Sequence, residues 1–92
     1  MILTFKDKKL KRLFESGKAR GVQPYLVPRL IRRLDAIHAA RAIADVNLPG
    51  YRLHQLKGAR RGEWSITVSG NWRLTFAFHD GDAYDVLLED YH

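Results

Sequence analysis

Apolar residues recur along this chain at two different periods, and the change between them divides it into two parts. In the first part Leu10, Leu13 and Phe14 follow Asp7 at helical spacing and stop before Gly17. This predicts a helix over about residues 8 to 16, with Asp7 as its N-cap and Gly17 as its stop. Val27, Leu30, Ile31, Leu34 and Ile37 then recur at i, i+3, i+4, i+7 and i+10, and Pro28 suits a first turn. A second helix is expected from Val27 to Ala40. The intervening KARGVQP, residues 18–24, reads as loop from its Gly and Pro. Ahead of both helices, Ile2, Leu3 and Phe5 make a short apolar start with the character of an edge strand.

After Pro49-Gly50 the period falls to two. Trp64, Ile66 and Val68 alternate with Ser65 and Thr67, and Trp72, Leu74, Phe76 and Phe78 alternate with Arg73, Thr75 and Ala77. Ser69-Gly70-Asn71 joins these two strands as a hairpin loop. Asp80-Gly81-Asp82 makes a second turn, and Tyr84 to about Glu89 forms the next strand. The prediction is an α+β fold: two N-terminal helices packed on one face of a small antiparallel sheet. The helices leave the other face uncovered, and alternation sends Arg73 and Thr75 there. A polar sheet face rimmed by loops is where a site is expected.

Composition narrows the class. The 92 residues are expected to form one domain, residues 1–92, since short chains rarely divide. A hydrophobic share of 46% against 28% charged is a globular balance and excludes a wholly disordered chain. Lys and Arg outnumber Asp and Glu by 16 to 10, a formal charge of +6. That excess favours polyanionic partners, nucleic acid above all, because it raises their local concentration and association rate. Lys8, Lys9, Lys11 and Arg12 occupy the polar face of the first helix, and Arg29, Arg32 and Arg33 lie off the stripe of the second. Each such face serves either as solvated surface or as a phosphate contact. Without cysteine there are no disulfides or thiolate metal sites. Neither a leader peptide nor a membrane span is recognisable, so a soluble cytoplasmic protein is expected.

Four histidines supply the titratable chemistry. His38, beside the apolar stripe, and His79, next to a turn, read as structural or surface residues. His54 differs in its company. In YRLHQLKGARRG an extended Tyr51–Leu56 turns His54 away from the side that buries Leu53, with Lys57-Gly58 at the strand end and Arg60-Arg61-Gly62 in a basic loop. A titratable ring and several cations at one sheet edge suit a phosphate group. No HxH, HExxH, calcium-loop, phosphate-loop or GxSxG pattern is present, so no metal or cofactor is expected.

The segments LHQLKG, GEWSITV, NWRLTF and the final EDYH together resemble the HigB branch of the RelE-type toxins of bacterial toxin–antitoxin pairs. The resemblance runs over almost the whole chain. It implies a ribosome-dependent mRNA endonuclease that cuts messages in the decoding site and is neutralised by a cognate helix-turn-helix antitoxin. Ribosome, 16S rRNA and mRNA are then the partners, operator DNA is reached only through the antitoxin, and no membrane is involved. The family's active-site positions fall on His54, Lys57, Arg73, Asp90, Tyr91 and His92, each matched here in residue type.

On this reading Arg73 and Lys57 stabilise phosphorane charge and His92 acts as general acid or base. His54 is the complementary proton-transfer or phosphate-orienting group, Asp90 holds a neighbouring imidazole, and Tyr91 stacks on a base or donates a hydrogen bond. Alternation places Asp90 and His92 on one side of the last strand and Tyr91 on the other, so the regular strand is expected to end near Glu89. A tag after His92 is expected to crowd this corner and reduce cleavage. The competing expectation is a member that cuts nothing, either an RNA-binding module or a gyrase-directed poison.

Overall fold

In the computed structural model, which describes residues 1–90, helix α1 spans Lys8–Ser16 as expected. The Asp7 carboxylate accepts the Lys9 N–H at 2.9 Å, which satisfies one of the free donors of the first turn. At the other end Gly17 adopts φ 72° and its N–H closes on the Leu13 carbonyl at 2.9 Å. Helix α2 covers Val27–Ala39, preceded by a 3₁₀ turn at Pro24–Leu26. It stops one residue early because Ala40 is extended, with ψ 136°.

The buried seam of α2 is rotated relative to the sequence stripe. Leu30, Leu34 and Ile37 are fully buried, but Ile31 is 39% exposed while Arg33 is only 9% exposed. Ile31 and Arg33 flank that seam on opposite sides, and the sheet covers the Arg33 flank. A guanidinium tolerates this position because it is served there. Its Nε donates to the Thr67 carbonyl at 2.7 Å and its Cζ lies over the Tyr51 ring, 4.3 Å from the ring centre. Arg29 also donates to the Val68 carbonyl at 3.2 Å but stays exposed, as Arg32 does, so Arg33 alone of the three is withdrawn from the surface. The expected basic surface on α2 is thus smaller than the sequence suggests.

Four antiparallel strands follow in the order β1-β2-β3-β4: His54–Gln55, Glu63–Ser69, Trp72–His79 and Asp82–Asp90. The first is much shorter than an extended Tyr51–Leu56, because Arg52 takes a left-handed φ of 51° and breaks the run. The expected N-terminal edge strand is reduced to two parallel bridges on β4, Ile2 with Ala83 and Phe5 with Val86. Between them β4 bulges: Thr75 pairs with Leu87 and Ala77 with Tyr84, so Asp85 and Val86 together oppose Phe76. Asp85 takes φ 56°, and the extra residue lets both Ala83 and Val86 face the core.

The core lies between the helices and one sheet face. Leu10, Leu13, Leu30, Leu34 and Ile37 pack against Ile66, Val68, Leu74, Phe76 and Val86, all at 1% exposure or less. At roughly 1.5–3 kcal/mol per fully buried aliphatic or aromatic side chain, this face dominates the folding energy. No helix among the described residues is long and apolar enough to cross a membrane.

Candidate active site

Strand register fixes what the opposite face displays. His54 pairs with Ser65, Ser65 with Thr75 and Thr75 with Leu87, so these four make one cross-sheet row. The next row is Thr67, Arg73 and Glu89. Paired residues project to the same side of an antiparallel sheet, so the two rows lie together on the face without helices.

That face is not an open floor of hydroxyls. Ser65 and Thr75 are 0% and 2% exposed, respectively. Guanidinium groups cover them. The Arg73 Nη1 lies 3.5 Å from both the Ser65 and the Thr67 hydroxyls. Arg60 reaches in from a 3₁₀ turn at Gly58–Arg60, giving Nη2 to the Thr75 hydroxyl at 3.3 Å. The same guanidinium binds Glu89 through two nitrogens, at 3.0 and 2.6 Å, and Glu63 at 2.9 Å. The Thr75 hydroxyl also donates to Glu89. These hydrogen bonds, Arg60 first, hold the Glu89 carboxyl below the ordinary glutamate range against the opposing effect of burial. Its two carboxylate partners in turn raise the Arg60 pKa.

Beside this cluster His54, Gln55, Leu56, Lys57 and Arg60 line a cavity of about 310 Å³. His54 is exposed, with Nδ1 3.4 Å from the Arg52 carbonyl, and Lys57 is exposed as the residue that opens the 3₁₀ turn. The Tyr51 carbonyl accepts from Thr67 N–H at 2.7 Å, and the Leu56 N–H donates to the Glu63 backbone carbonyl at 2.9 Å, so both ends of the His54 segment are tied to β2. The arrangement offers a ring that can exchange a proton, an ammonium and a guanidinium on one side of the sheet. Such a set can bind a phosphate and move protons near it.

The six candidates divide. His54 and Lys57 meet at the cavity, and Arg73 lies one row away on the same face. Asp90, the last residue of β4 and one past the expected strand end, pairs with Trp72 on the opposite alternation from Glu89. Tyr91 and His92 lie outside the described residues. The sequence places Thr75 on this face beside Arg73 but gives Glu89 and Glu63 no part in the site and counts Arg60 only as a loop cation. A signal for Glu89 existed, since alternation from Leu87 already puts it on the side of Arg73 and Thr75. None marked Arg60, whose partners are 3, 15 and 29 residues away. The other histidines behave as expected: His38 accepts the Ile2 N–H at 3.0 Å, and His79 pairs with Asp80 at the surface.

Two helices on one face of a four-stranded antiparallel sheet, with a basic, histidine-bearing opposite face, form an α+β arrangement consistent with the RelE-like toxins. The family of RelE-like toxins of the type II toxin–antitoxin system HigB matches residues 3–92, and the chain belongs to it. It is similar to the Endoribonuclease HigB of Proteus vulgaris, 53% identical over 92 residues that cover 100% of each chain. It is also similar to Toxin HigB-1 of Vibrio cholerae serotype O1, 36% identical over 91 residues, covering 97% of this chain and 96% of that one.

Proposed function

We propose that this toxin is a ribosome-dependent endoribonuclease that cuts mRNA in the decoding site by acid–base chemistry without a metal ion. The observation that carries the reading is the placement of His54 and Lys57 around one cavity with Arg73 on the same sheet face. Full-length similarity to a protein named for endoribonuclease activity supports it. In the reaction the 2′-oxygen of the RNA forms a bond to the adjacent phosphorus and the bond from phosphorus to the 5′-oxygen breaks. One proton leaves the 2′-hydroxyl for a base, and one reaches the departing 5′-oxygen from an acid. A 2′,3′-cyclic phosphate and a 5′-hydroxyl result.

His54 and His92 divide the two proton transfers, or His54 orients the phosphate while His92 transfers the proton. Lys57 and Arg73 oppose the charge that grows on the phosphorane oxygens. Asp90 holds an imidazole, and Tyr91 stacks on a base or donates to the phosphate. A cognate antitoxin is the partner that silences the activity, as membership of a type II toxin–antitoxin family leads one to expect.

The test is mapping of RNA 5′ ends after brief induction in growing cells, beside His54→Ala and His92→Ala controls. New ends inside translated messages are expected with the wild-type chain. Each control should lose about 10²–10⁴-fold of the cutting, the usual worth of one proton-transfer group. Ends absent from the wild-type sample, or equally abundant in both controls, would defeat the proposal.

A further inference from the structure

We infer that Arg60, which is not among the six candidate active-site residues, is a positioning residue for this site; the inference rests on the cleavage reading above. Arg60 closes the turn that Lys57 opens, and Gly58 at φ 69° lets the chain double back within that turn. From there one guanidinium joins the start of β2 at Glu63, the middle of β3 at Thr75 and the end of β4 at Glu89. Glu89 is the cross-strand partner of Arg73 and the neighbour of Asp90. The residue thus locks the Lys57 turn to the Arg73 row and to the strand end that carries the last candidate residues.

It also does something no apolar strut would do. Glu63 and Glu89 carry two negative charges beside the place where a phosphate must sit between Lys57 and Arg73. Arg60 offsets one of them and holds both carboxylates in fixed hydrogen bonds. Removing its charge should therefore weaken RNA binding, whereas keeping the charge but losing the planar fork should disturb geometry alone. Lysine, a single ammonium, cannot reproduce the two-nitrogen grip on Glu89.

The experiment is steady-state cleavage of ribosome-bound message by wild type, Arg60→Lys, Arg60→Gln, Glu89→Gln and the Arg60→Lys/Glu89→Gln pair, with thermal melting of each. A misplacement of about 1 Å costs on the order of 10²-fold, so Arg60→Lys should lower kcat by about that factor with KM close to wild type. Arg60→Gln should raise KM in addition. The double variant should be no slower than the worse single, because both changes break one clamp. Should Arg60→Lys not fold, Thr75→Val carries the same expectation in smaller measure, since it removes only the hydroxyl that Glu89 holds. Full kcat in Arg60→Lys, additive losses, or a loss equal to the unfolded fraction would each overturn the inference while wild-type cutting stands. A wild-type chain that does not cut would instead defeat the cleavage reading, and this inference with it.

Discussion

Glu89 takes part in three structures at once: it pairs with Arg73 across the sheet, accepts from Thr75 and is gripped by Arg60. Because its folded pKa lies below the usual 4.5, folding prefers the ionised form. The stability this contributes is fully present above the unfolded value and is lost as pH falls through the lowered folded value. Glu89→Gln removes the titration. Urea midpoints measured between pH 6 and pH 3 should therefore fall more steeply for wild type than for the variant, with the difference largest near neutrality. Parallel curves would mean that the clamp contributes no proton-linked stability. The same residue marks the boundary of what single positions reveal. Its side of the strand follows from alternation, but that its charge is claimed by Arg60 follows only from a turn whose path no periodicity encodes.

At the scale of elements, what the sequence reveals depends on how local the cause is. Asp7 and Gly17 delimit α1 through contacts within one helical turn, and the Gly70-Asn71 and Asp80-Gly81 turns define the meander through their own backbone needs. The rotation of α2 that buries Arg33 and exposes Ile31 is decided by the sheet and the turn ahead of it, which present Thr67 and Tyr51 to the guanidinium. The N-terminal segment is a further case. It docks beside β4 through the Leu3 N–H on the Ala83 carbonyl at 2.8 Å and the Lys6 N–H on the Val86 carbonyl at 3.0 Å. The Ile2 N–H turns the other way, to Nδ1 of His38, whose ring also lies 5.1 Å from that of Phe14. In this bond Nδ1 is the acceptor, so the ring carries its proton on Nε2. His38→Phe keeps the aromatic packing and strands a part-buried donor. It should destabilise the fold by about 1–3 kcal/mol, read as a lower urea midpoint at unchanged m-value. A midpoint within error of wild type would show that water serves the Ile2 N–H equally well.

The whole molecule separates its two kinds of positive charge. Lys57 and Arg73 belong to the face without helices, whereas Lys8, Lys9, Lys11 and Arg12 are exposed on α1, whose other side carries Leu10 and Leu13 into the core. If RNA is bound at His54, the α1 cations are a second set of contacts, on the helix layer that covers the other face of the sheet. A large polyanion that surrounds a body of about 31 × 28 × 26 Å meets both sets. If ribosomal RNA is that polyanion, the α1 cations act on association and leave the chemical step alone. Changing all four to glutamine should flatten the dependence of log K on log salt by about 0.7–0.9 for each phosphate no longer neutralised, about 3 in total. Turnover at saturating ribosomes should not change, because the quadruple variant alters neither the cavity nor the Arg60 clamp. Binding measured over a salt series, with kcat from the same preparations, decides it. An unchanged slope would make this face a solvated surface, and a fall in kcat at an unchanged slope would place α1 closer to the chemistry than the fold does.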